Sequence, residues 1–71
     1  MTTVANLGTL DEAMILRSML EADGIPVLLP DEYSLQNEGF GSFALGGVRV
    51  QVPEDFADRA AEIVAEFERN A

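Results

Sequence analysis

Few side chains in this chain could do chemistry. Two acidic clusters, Asp31-Glu32 and Glu54-Asp55-x-x-Asp58, offer hard oxygen ligands for a divalent cation. Such an ion needs several converging oxygens, and neither cluster has the spacing of an EF-hand loop. Glu54-Asp55 and Asp11-Glu12 also stand where carboxylates favour a helix N-terminus, which already explains their presence. Serines and threonines have no histidine or lysine to act as a base. Without cysteine, thiolate metal sites and disulfides are excluded. Paired carboxylates for glycoside chemistry would need a deep cleft, which so short a chain hardly provides. We therefore assign no catalytic, cofactor-binding or metal-binding residue, and do not expect an enzyme. The side chains left are aromatic. Tyr33, Phe40 and Phe43 lie in the glycine-rich stretch 31–46, where they could insert into a partner, stack on a ligand, or anchor the stretch to a sheet.

Composition narrows the partners. Thirteen acidic residues face four arginines and no lysine, a formal net charge of −9. Binding to a phosphate backbone needs a basic face, so nucleic acid is not expected. Anionic membrane surfaces are disfavoured for the same reason. A cationic partner is compatible with this balance, although an acidic surface also serves solubility alone. The opening MTTVANLG has neither a positive start nor a long apolar run, so a cytoplasmic protein is expected. Seventy-one residues make one small domain with a limited core, and hydrophobic residues at 48% make that domain folded.

The elements that would position these groups follow from periodicity. Thr2 to Leu7 reads as a short strand ended by Gly8. Thr9 and Glu12 have the spacing of a capping box. Behind them Ala13, Leu16 and Leu20 form an apolar stripe flanked by Ile15 and Met19, and Gly24 ends the helix. Met14 falls among the polar residues of that helix, either exposed or covered by another segment. Ile25 to Pro30 reads as a second strand bounded by prolines, with Ile25, Val27 and Leu29 inward and Leu28 outward. Gly47 to Pro53 alternates Val48, Val50 and Val52 with Arg49 and Gln51, the pattern of a sheet with helices on one face. Glu54 to Arg69 forms a second helix with Phe56, Ala60, Ile63 and Phe67 as its stripe, widened by Val64, and Asp55 and Arg59 spaced as a surface ion pair. The stretch 31–46 is left as a loop. A loop this long in so small a domain is uncommon and is usually functional, with a plain connection as the equal alternative.

Glu12-Ala13, Leu20-Glu21, Gly24-Ile25, the glycine-rich loop and Gly47-Val48-x-Val50-x-Val52-Pro53 together resemble a group of small bacterial proteins. These are described as putative prokaryotic signal-transducing proteins, a domain family of unknown function with a PII-like, ferredoxin-like fold. The resemblance covers nearly the whole chain and rests on structural motifs. It implies an α+β domain of order βαββα spanning 1–71, an antiparallel sheet with two helices on one face, and the final strand missing. It transfers no catalytic or ligand-binding residue. True PII proteins place a target-docking loop where 31–46 lies here, but their nucleotide clefts use basic residues that this stretch lacks. The ferredoxin-like acylphosphatases carry an arginine-bearing phosphate loop after the first strand, where this chain reads Leu7-Gly8-Thr9-Leu10.

The expected function is therefore a non-catalytic regulatory or protein-interaction module in signal transduction, with Tyr33, Phe40 and Phe43 facing the partner. The alternative is a small-molecule sensor holding an organic ligand between the loop and the sheet. The small core and the missing strand also leave an open sheet edge, through which a homo-oligomer could form.

Overall fold

A computed structural model describes residues 1–32 and 43–70, with side chains for 1–32 and 47–70. Strand β1 (Thr2–Thr9) runs into helix α1 (Leu10–Ala22). Strand β2 (Phe43–Val52) pairs antiparallel with β1, and a 3-10 turn (Glu54–Phe56) leads into helix α2 (Ala57–Arg69). The domain is α+β, a two-stranded antiparallel sheet with two helices.

Val48, Val50 and Val52 are fully buried, while Arg49 is exposed and Gln51 half-buried. The strict alternation of β2 thus presents one apolar face, as a pleated strand must. Ala13, Leu16 and Leu20 of α1 and Ala60, Ile63 and Val64 of α2 close over that face, with Ile25 and Leu29, in a single core. β1 obeys the alternation only through an irregularity. Thr2 and Thr3 face Val52 and Gln51, but Ala5 faces Val50, so Val4 is an extra residue in the ladder. That bulge reverses the phase and turns Ala5 and Leu7 to the core and Asn6 outward.

Helix α1 begins as its sequence requires. The Glu12 N–H donates to Thr9 Oγ1 at 3.2 Å, capping an otherwise orphaned donor. The reciprocal half of the box differs from expectation: the Thr9 hydroxyl itself donates to Glu12 Oε1 at 3.1 Å. At the other end Gly24 takes φ 80°, its N–H donates to the Glu21 carbonyl at 2.9 Å, and the Ile25 N–H reaches the Leu20 carbonyl at 3.1 Å. This is a Schellman closure, and Ile25 and Leu20 supply its apolar contact inside the core. Met14 is partly buried and packs on the core, whereas Ile15, expected at its flank, is 56% exposed.

Four expectations need correction, the first being the end of the opening strand, which runs through Gly8 to Thr9. Ile25 to Pro30 is not a strand; it meets β2 only at Leu28, which exchanges both backbone hydrogen bonds with Gln51 at 2.8 and 2.9 Å. Residues two positions either side would face β2 in the same sense, and these are Pro26 and Pro30, which have no N–H to give. The loop is also shorter than 31–46, because β2 starts at Phe43. Helix α2 starts at Ala57, not Glu54: the Phe56 N–H closes on the Pro53 carbonyl at 2.9 Å in a 3-10 turn, and Phe56 is left exposed. Asp55 and Arg59 therefore do not share one α-helical face, and Arg59 pairs elsewhere. Among the described residues no helix is long and apolar enough to cross a membrane.

Candidate functional site

The acidic pair at the start of the loop is held by arginines from two different elements. Arg49 projects from the outer face of β2 and grips Asp31 bidentately, Nη2 to Oδ1 at 2.9 Å and Nε to Oδ2 at 3.2 Å. The backbone N–H of Arg49 adds a third bond to Asp31 Oδ2 at 3.0 Å. In a regular ladder that N–H would meet the backbone of Pro30, next in register after the Leu28–Gln51 bridge. A carboxylate thus stands in for a missing strand. Hydrogen bonds from the Arg49 side chain and then from its backbone hold the Asp31 carboxyl below the usual aspartate range, against a small opposing effect of burial. The same contact raises the Arg49 guanidinium. Arg17 of α1, half-buried, donates Nη1 to Glu32 Oε2 at 3.2 Å. Consecutive residues are thereby tied to the sheet and to a helix. As partly exposed pairs these contribute modestly.

Asp31 and Glu32 are therefore bound to cations of the chain itself, which accounts for their position without a metal. Among the described residues no three histidines, cysteines or carboxylates come close enough together to hold an ion. A third arginine, Arg59 at the start of α2, reaches Asp23 after α1 with Nε and Nη2 at 2.9 and 3.0 Å, and Glu62 with Nη1 at 2.9 Å. The hydrogen bonds from Arg59 lower the Asp23 carboxyl. This fork ties the residue that ends α1 to the beginning of α2.

The aromatic residues singled out from sequence fare unequally. Tyr33 and Phe40 lie outside the described residues. Phe43 is not in the loop but is the first residue of β2, opposite Thr9. Around the loop's anchorage the outer sheet face is polar: Gln51 Nε2 donates to Thr3 Oγ1 at 3.1 Å, and Arg49 and Asn6 lie side by side across the two strands. Leu28 stands beside them 46% exposed, on the outward side as its alternation predicted.

A concave feature involves the two helices. Ile15 and Met19 of α1, with Phe67 and Asn70 at the end of α2, line an open groove of about 360 Å³. Sequence reading missed it by grouping Ile15 with the core stripe. At about 100° per residue Ile15 falls roughly 140° from the Ala13–Leu20 direction, a signal that was there to be read.

The comparisons with known proteins speak to this architecture. The model of a family described as "putative prokaryotic signal transducing protein" matches residues 1–68. The chain belongs to this family. No curated protein and no solved structure matches it significantly. The match takes in both strands, α1, α2 as far as Glu68, the arginine-held carboxylates, and Ile15, Met19 and Phe67 of the groove.

Proposed function

We propose that this domain is a non-catalytic regulatory module of the cytoplasm that acts in signal transduction by binding another protein. One observation carries the reading. Among the described residues Arg17 is engaged with Glu32, Arg49 with Asp31 and Arg59 with Asp23, while Ile15 and Leu28 stand exposed on a capped frame. Polar groups spent on holding segments together and apolar groups left in water suit a docking surface better than a reaction centre. The family description points the same way.

The finer fold assignment belongs to the same reading. β2 pairs with β1 along one edge and with Leu28 on the other. A βαββα, PII-like order with the last strand missing has the same neighbours, the bridge being what two prolines leave of its second strand. In that arrangement the loop after Glu32 leaves from the arginine-held anchorage and returns at β2, and Tyr33 and Phe40, with Phe43 at the start of β2, are the partner-facing group.

Replacing Tyr33, Phe40 and Phe43 with alanine and comparing the proteins captured from a cell lysate tests this. Loss of specific partners is expected, and an unchanged set would sink the role of these aromatics. A thermal-shift screen separates the sensor alternative, since a ligand specific to the native state raises Tm. Shifts with nucleotides, amino acids or divalent cations would favour the sensor.

A further inference from the structure

An isolated exposed aliphatic side chain is ordinary on a protein surface. Ile15 is not isolated: one turn on along α1 lies Met19, and Phe67 and Asn70 complete a groove of about 360 Å³ between the two helices. Met19 and Phe67 are only partly buried although both pack on the core. The groove is thus a continuation of the core to the surface. Isoleucine, methionine and phenylalanine give it an apolar floor, and methionine adapts to differently shaped side chains.

The rim decides what could lie there. Asp11 and Glu12 precede Ile15 by four and three residues on α1, one helical turn away. Glu66 precedes Asn70 by four on α2, and the Asn70 side chain donates to the Glu66 carbonyl at 3.0 Å. Glu62 lies one turn further back. All four carboxylates are exposed. Arg59 is committed to Asp23 and Glu62, so Glu62 is already paired and Asp11, Glu12 and Glu66 are the acids left to the rim. Arg69, exposed and three residues after Glu66, sets one cation beside these acids.

Charge then separates the occupants. A second copy would bring the same −9 and set acidic rim against acidic rim. An anionic bilayer would be repelled likewise. A helix with apolar residues at i, i+3 and i+4 and lysine or arginine on its flanks satisfies both floor and rim. We infer that the groove between α1 and α2 receives a cationic amphipathic helix of a partner protein, Ile15 and Phe67 making the apolar contact and Asp11, Glu12 and Glu66 meeting its positive flanks. This rests on the interaction-module reading and names a place and a partner chemistry for it.

The test is an NMR titration of the full chain with a synthetic amphipathic leucine–lysine helix. Its controls are a peptide of identical composition in scrambled order, phosphatidylserine-containing vesicles, and sedimentation of the chain alone. Perturbed amides are expected in 11–19 and 62–70. Because Ile15 is exposed, Ile15→Ser should keep the fold while weakening binding by about tenfold or more. Glu66→Arg should weaken it too and flatten its salt dependence. Equal binding by the scrambled peptide, no effect of I15S, perturbations elsewhere, or occupation of the groove by vesicles or a second copy would each overturn the inference. Lysate capture keeps the two readings apart. If I15S retains every specific partner of the wild type, the groove claim fails and the interaction module stands; if the wild type captures none, the module reading itself fails.

Discussion

Gly24 and Gly47 both take positive φ, 80° and 88°, but in different surroundings. Nothing lies near the place of a Cβ at Gly24, whereas at Gly47 it would overlap the Asn6 side-chain amide. Gly24→Ala should therefore cost only the left-handed strain, about 1 kcal/mol. Gly47→Ala should cost more, about 2 kcal/mol or above, because strain and overlap add. Urea denaturation checks this, and equal losses would remove the steric argument. The carboxylates make a second residue-scale prediction. Asp23 and Asp31 have folded-state values below their unfolded ones, so they bind fewer protons when folded. Their contribution is complete above the unfolded value and is lost as pH falls through the folded one, so stability should decline as the solution is acidified below about pH 5. Asp31→Asn should flatten that decline in melts taken across the range. No signal in the sequence paired Asp31 with Arg49 or Asp23 with Arg59. The partners are 18 and 36 residues apart, and ion pairing has no period along a chain.

At the scale of elements, most signals whose physics is local were read correctly, the 3-10 start of α2 and the phase of Ile15 being the exceptions. The Thr9 cap, the Gly24 stop and the valine alternation of β2 each depend on residues within about one turn or one pleat. The other misreadings share a cause. Ile25 to Pro30 has strand composition, but whether a segment forms a strand depends on its neighbour's hydrogen bonds, and the two prolines remove them. The bulge at Val4 likewise exists only relative to β2. Asp31 substituting for a strand gives a test by hydrogen exchange. In Asp31→Ala the Arg49 amide loses its acceptor and should exchange markedly faster. Val48 and Val50, whose backbone groups point the other way toward β1, should change little. Equal acceleration at all three would mean the whole strand has loosened.

For the molecule as a whole, the net charge of −9 opposes compaction. Salt at about 0.5 M shortens the screening length to on the order of 4 Å, weakening repulsion between acids on α1 and α2 more than the bidentate arginine contacts. Tm should accordingly rise by a few degrees on adding sodium chloride, as thermal melts can follow. A fall would show that the arginine forks outweigh the repulsion. The candidate docking features divide along similar lines. Exposure of Leu28 was legible from alternation. The exposed phase of Ile15 was legible too, but the groove was not, because its walls come from two helices brought together by the shared core and the Arg59 fork.

The amino-acid sequence alone determined the α+β class, the start and stop of α1, the buried valine face and the overwhelming negative charge, along with the absence of thiol and imidazole chemistry. These follow from composition and from interactions between near neighbours. Tertiary structure decided the rest: that Ile25 to Pro30 contributes a single bridge, that Asp31 and Glu32 are held by Arg49 and Arg17, and that Ile15, Met19 and Phe67 open onto one groove. Each depends on residues far apart in the chain being brought together, and burial of the common core, with no directional preference of its own, is what brings them there.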